Sequence, residues 1–227
     1  MDVHHFFTRR IAFIRQFYEN ASAPFVERKR KIEAGDDPFE PPYSEDGEPP
    51  FIAEWSEADD SLQVLGYACV SMLVAALHLY FRTWEQQCRV KAAEQFKAEF
   101  KRGWVSGYRA YCKQVLDIDF DNGPCDLKLI EEVVLARNCA QHPDNLVLTL
   151  PTYTDSDLKK LPSALFIDLR REVYQGLDGG EKEWLMPPTL HVTQEKLIKV
   201  IDEVERFAAW LDPQIEHAVY RRERPGG

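Results

Sequence analysis

Apolar side chains recur at helical spacing along most of this chain, and only short runs alternate as strands do. Between 3 and 33, Phe6, Phe7, Ile11, Ile14, Phe17 and Tyr18 keep returning to one side, predicting an amphipathic helix that Pro24 breaks or kinks. The acidic, proline-rich run GDDPFEPPYSEDGEPPF, 35 to 51, reads as a connector. Ser56 then offers an N-cap, with acids through Asp60 in the first turn, to a long apolar helix ending about Val90. A third helix covers 92 to 116. Its Phe96, Phe100, Trp104, Tyr108 and Tyr111 recur by threes and fours among Lys97, Lys101, Arg102, Arg109 and Lys113. The Asn-Gly-Pro run within 117 to 126 is a turn, after which Asp126 caps a fourth helix. LVLTL, 146 to 150, alternates weakly as a short strand, with LFIDLRREVYQ and TLHVT as weaker candidates. A last amphipathic helix over about 194 to 211 gathers Leu197, Ile198, Ile201, Val204, Phe207 and Ala208, and RRERPGG frays beyond it.

These elements predict a mainly α fold: a helical bundle with a short β element after the fourth helix. The chain divides into an N-terminal helical segment (1–34), the connector (35–56), a helical core (57–150), a mixed loop and strand insertion (151–192) and a closing bundle helix (193–215). No internal repeat is visible.

The fourth helix departs from its own pattern. Ile130 and Val134 define a column facing the core, yet the same column continues to Asn138 and His142, with Arg137 beside it. Pro143 disfavours helical geometry at the residue before it, so the helix should end near Gln141. Carbonyls at a helix C-terminus favour a cation, whereas Arg137 opposes one, and these influences poise an imidazole near neutrality for general acid–base work. Arginine supplies a permanent forked charge for a phosphate, and an asparagine can orient either the imidazole or the ligand. Such a trio can cleave RNA without a metal: His142 assists attack of a 2′-hydroxyl or protonates the leaving oxygen, and Arg137 stabilises the phosphoryl charge. Because one histidine hardly serves as acid and base together, a cleft between two copies is the natural setting. The plainer alternative is a polar cluster that caps carbonyls and neighbouring loops.

Composition narrows the partners. Lys and Arg total 28 against 38 Asp and Glu, a formal charge of -10, which excludes a globally basic nucleic-acid surface and leaves only a local patch. The Lys97, Lys101, Arg102 and Arg109 set can track an RNA backbone, with Tyr108 or Trp104 stacking on bases; a solvated face is the alternative. Cys69, Cys88, Cys112, Cys125 and Cys139 form no Cys-x-x-Cys pair, which fits reduced, buried thiols in a cytoplasmic protein better than disulfides or zinc. MDVHHFFTRRIAFIRQF mixes charge into its apolar stretch and lacks the layout of a secretory signal. From 64 to 81, VLGYACVSMLVAALHLYF holds no Asp, Glu, Lys or Arg. A buried central helix and a short membrane span read alike there, and the core helix, with no membrane, is the expectation. His78 within it reads as a hydrogen-bonded core histidine. No Gly-rich phosphate loop or nucleophile elbow is present, and no cofactor or metal is expected.

ARNCAQHPDN, together with the order of long apolar helix, basic-aromatic helix, turn and motif helix, resembles the HEPN family (higher eukaryotes and prokaryotes nucleotide-binding domain). In that family an Arg followed by a polar residue, most often Asn, precedes a His after four to six intervening positions. Arg137, Asn138 and His142 fit the four-residue form. The resemblance spans about 58 to 150. It implies a dimeric helical bundle and, in many members, a metal-independent endoribonuclease of toxin–antitoxin or phage-defence systems. It gives His142 the catalytic role, Arg137 the phosphate role and Asn138 a supporting one. A cognate antitoxin or regulatory protein is then a further expected partner. Many members carry a glutamate in the long apolar helix where this chain has His78, with Glu85 a turn or two later, and Pro143 also departs from the pattern. Members that have lost catalysis act as binding or dimerisation modules, the second reading here.

Overall fold

In a computed structural model of the protein, the described residues are 2–41, 49–141, 150–161, 163, 165–168, 174–175, 183–184 and 187–223. Helix α1 spans Val3–Ala34. Asp2 starts it by accepting from the His5 N–H at 2.8 Å, and Gly35, left-handed at φ 68°, stops it. Pro24, expected to break or kink this stretch, lies inside α1 and does not end it. Proline removes one N–H and crowds the carbonyl of Asn20, but both residues face solvent, where water can take that carbonyl.

Helix α2, Ile52–Cys88, starts ahead of Ser56, which therefore sits within the helix instead of capping it. It is about 55 Å long. Among the described residues it is the one helix apolar and long enough to cross a membrane, and 56% of its most apolar window is buried against the bundle.

The single helix expected over 92 to 116 is divided. It forms α3 (Ala92–Gln95), α4 (Lys97–Phe100) and α5 (Trp104–Tyr111), the last running on into a wider π turn over Cys112–Leu116. Two breaks have visible causes. Phe96 leaves the helical path to enter the core, and Gly103 is extended where a carboxylate crosses it closely. Helix α6, Leu127–Gln141, begins as predicted, with Asp126 Oδ1 accepting from the Lys128 N–H at 3.0 Å. A one-turn helix α7, Asp155–Leu158, is held by a Thr154 and Asp157 capping box. The β structure is slight: β1 (Tyr174–Gln175) pairs antiparallel with β2 (Glu183–Trp184), and Thr152 bridges Thr189. Of the expected strand over 146 to 150, all but Leu150 falls outside the described residues. Helix α8, Gln194–Glu223, runs past Pro213 and includes Arg221 and Arg222, which were expected to fray. Ile215 and Ala218 prolong its buried side, so packing outweighs the proline.

The protein is a mainly α helical bundle. One hydrophobic cluster joins Ile11 and Ile14 of α1, Leu73 and Leu77 of α2, Ile130 and Val133 of α6, and Val204 and Phe207 of α8. The segments after α6 belong to the same core through Tyr153, Phe166, Leu190 and Val192. They are laid across α2 by backbone contacts: Val192 N–H donates to Gln63 Oε1 at 2.9 Å, and the Tyr67 hydroxyl donates to the Leu190 carbonyl at 2.8 Å. Gly66 allows this crossing, since a β-carbon there would stand 2.8 Å from the Val192 side chain. Tyr80 ties α2 to α8 by donating to Asp212 Oδ1 at 3.0 Å, inside the bundle.

Candidate functional site

Helix α6 is gripped along its middle and carries the candidate residues at its end. Ile130 and Val134 of the predicted column are buried, whereas Arg137 and Asn138 are only half-buried. One turn and more before them, Glu131 faces the start of α5. Its two carboxylate oxygens accept from the backbone N–H groups of Trp104 at 3.0 Å and Val105 at 2.6 Å. Those are donors that a helix N-terminus leaves unpaired, and the negative charge suits that end. A β-carbon at position 103 would lie 2.9 Å from Glu131 Oε1, so glycine is what admits the carboxylate.

This cap from α6 sets where Trp104 stands. Its indole stacks on His78 of α2, with ring centroids 5.6 Å apart and planes at 21°, and meets Phe81 edge-on at 5.2 Å. Burial holds the His78 imidazole below its ordinary pKa, and the charges of Arg137 and Arg82 push the same way. The ring is therefore neutral at neutral pH. Its Nε2 is enclosed and, among the described residues, lacks a hydrogen-bond partner. His78 was expected to be a hydrogen-bonded core histidine, and at Nε2 that expectation fails. Buried polar nitrogens are ordinarily paired, which makes a bare one next to a guanidinium informative.

Arg137 Nη1 donates to Asn138 Oδ1 at 3.0 Å. The asparagine thus orients the guanidinium, which is neither of the two roles, toward the imidazole or toward the ligand, that its chemistry suggested. Two pairs thus form, Arg137 with Asn138 on α6 and His78 with Trp104 between α2 and α5, and the charge of Arg137 reaches the imidazole of His78. A fixed fork of positive charge and a neutral imidazole suit an anionic oxygen and a hydroxyl respectively. His142, the remaining catalytic candidate, follows Gln141 in sequence and lies outside the described residues, as does Pro143.

The basic-aromatic set divides. Lys97, Lys101 and Arg102 are exposed on α4 and the turn after it, and Arg102 is two residues from Trp104. Arg109 is paired with Asp121, and Lys113 with Asp119 at 3.3 Å, so two cations of the stripe answer carboxylates of the same protein. Tyr108 is a correction. It is 8% exposed, its ring lies 4.0 Å from that of Phe81, and its hydroxyl donates to Glu85 at 2.8 Å. It faces α2 and cannot stack on a base. The same bond occupies Glu85. Sequence spacing singled out His78 and Trp104 separately. The Glu131 cap, between residues far apart in the chain, and the packing of Trp104 on Phe81 and Tyr108 bring them together.

No protein-family model matches the chain, and neither a curated protein nor a solved structure matches it.

Proposed function

We propose that the protein is a metal-independent endoribonuclease of HEPN type, a toxin or defence effector that works as a homodimer on RNA. What carries the reading is the oriented guanidinium. Arg137, held by Asn138 beside a neutral His78, is built to meet a phosphate at the end of α6. His142 supplies the acid–base step, taking the proton of the attacking 2′-hydroxyl or returning one to the leaving 5′-oxygen. Arg137 stabilises the charge that develops on the phosphoryl oxygens, and Lys97, Lys101 and Arg102 guide the strand.

Purified protein in EDTA should cut single-stranded RNA and leave 2′,3′-cyclic phosphate ends, read by labelling and mass. His142→Ala should abolish cleavage, and Arg137→Ala should lower its rate by about 100- to 1000-fold. Cleavage that persists in His142→Ala would refute the mechanism.

A specific observation favours a second reading, a non-catalytic module that binds RNA, a nucleotide or a regulatory protein at the same seam. His78 stands where many HEPN members have an acid, and Arg109 and Lys113 are already neutralised. Growth arrest on expression of the wild type, absent with His142→Ala, selects the nuclease; equal growth selects the module.

A further inference from the structure

We infer that a second copy of this chain packs on the outer face of α1 and α2, antiparallel, about a two-fold axis close to Ser71 and Met72. The proposed function expects two copies; this inference adds the face that joins them.

The face is apolar where a solvated helix pair would be polar. Phe6 and Phe13 of α1 are 59% and 55% exposed, and Val64 and Leu79 of α2 are 58% and 46%. Of the large apolar side chains exposed among the described residues, all but Tyr220 belong to these two helices. A groove of about 520 Å³ runs between Phe6, Arg10 and Phe13 on one side and Met72 and Ala75 on the other, Phe6 and Leu79 line a second hollow, and Val64 and Ala68 line a third. Exposed apolar surface of this kind marks an interface.

The order of residues on α2 selects the occupant. Val64, Ala68, Met72, Ala75 and Leu79 follow one another by four, four, three and four, the spacing of a helix–helix seam. Read outward from its middle, this stripe is small and then large in both directions. A two-fold axis at Ser71 and Met72 sets Val64 on the partner's Leu79 and Ala68 on the partner's Ala75, so that the alanines allow close approach. Such an isologous contact needs the same patch on both copies, which is what a palindromic stripe provides. Charge agrees. Arg9, Arg10 and Arg82 lie toward the Leu79 end, and Glu57 and Asp60 toward the Val64 end. Antiparallel packing brings each basic end to the partner's acidic end, whereas parallel packing would set arginines against arginines. Glu57 also pairs with Arg28 at 3.0 Å, which offsets part of the negative charge at that end. Arg82 is one of the charges felt by His78, so the face reaches the rim of the candidate site.

Sedimentation velocity at micromolar concentration tests this, with circular dichroism as the folding control. Wild type should run at about twice the 26.3 kDa of one chain. Leu79→Asp, at an exposed position, should run as a single chain with unchanged helicity. Arg82→Glu should weaken association by about tenfold, and adding Glu57→Arg should recover most of it. Ser71→Cys should give a disulfide-linked dimer on oxidation, since the axis places the two copies of that position together. Wild type at the mass of one chain, or a dimer indifferent to Leu79→Asp, would overturn the inference. So would flotation of the wild type with phosphatidylcholine vesicles that Leu79→Asp abolishes, because the face would then meet lipid. The readout is mass, so a dimer that does not cut RNA sinks the nuclease and leaves this pairing, and a monomer that cuts sinks this pairing and the homodimeric part of the proposed function but leaves the cleavage chemistry.

Discussion

Glu132 on α6 and His78 on α2 are both ionisable groups set into the bundle, and the protein treats them in opposite ways. Glu132 is wholly enclosed yet fully occupied: Ser163 donates its hydroxyl, and the Phe166 N–H lies 3.2 Å from Oε1. Burial raises its pKa, while those bonds, one from the Leu165 backbone and the charge of Lys196 act against the rise. His78 has an enclosed Nε2 without a hydrogen-bond partner among the described residues, and it feels the charges of two arginines, Arg137 and Arg82. An unpaired buried polar group costs about 1–3 kcal/mol, so a core optimised only for stability would not retain it. Glu132 belongs to the fold, fastening the segment after α7 to α6. His78 takes part in no such fastening among the described residues.

The largest effect should come from breaking the fastening. Glu132→Ala leaves the Ser163 hydroxyl and the Phe166 N–H without their acceptor, and it opens a hole against α6. We expect a loss of about 3 kcal/mol. In a chain of this size that lowers Tm by about 6–12 °C in a thermal melt. A change below about 2 °C would mean the carboxylate is not fastening anything.

How much of this was legible in the sequence follows from the distance over which each feature is made. Periodicity located α1, α2, α6 and α8, and with them the mainly α bundle, because each of those helices displays its buried face within its own residues. The start of α6 at Asp126 was equally local. Where the reading failed, a remote partner decided. Trp104, Tyr108 and the basic residues share one periodic stretch, yet Glu131 crossing at Gly103 breaks it, and Glu85 draws Tyr108 inward. Pro24 was expected to break or kink its helix because proline removes a helical hydrogen bond, yet α1 runs through it to Ala34. At the candidate site, Arg137 and Asn138 were visible as polar residues extending an apolar column. That His78 joins them was not, because its neighbours Trp104 and Arg137 come from two other helices.

A smaller effect, of opposite sign, should come from His78. Phenylalanine keeps a ring that can stack on Trp104 and removes the bare nitrogen. His78→Phe should therefore stabilise the protein by about 1 kcal/mol, the low end of what an unsatisfied buried group costs. Under the proposed function it should slow RNA cleavage as well. A variant more stable and less active would place His78 in the site; one less stable and fully active would return it to the core.

The smallest effect lies in pH. The imidazole of His78 is held below its ordinary value of 6.5 in the folded protein, by burial first and then by Arg137 and Arg82. As pH falls through 6.5 the unfolded chain takes up a proton at this position before the folded protein does. Over that interval the unfolded state gains relative to the folded one, so stability declines with acidification. The decline ends once the folded imidazole is protonated too, and a single proton can contribute at most about 1.4 kcal/mol per pH unit. At pH 8 both states are neutral here and the effect vanishes. Tm should thus fall between pH 8 and pH 5 by more in the wild type than in His78→Phe, the other titrating groups cancelling in the comparison. Parallel curves would mean that His78 charges as easily inside the bundle as outside it, and the contrast with Glu132 would collapse.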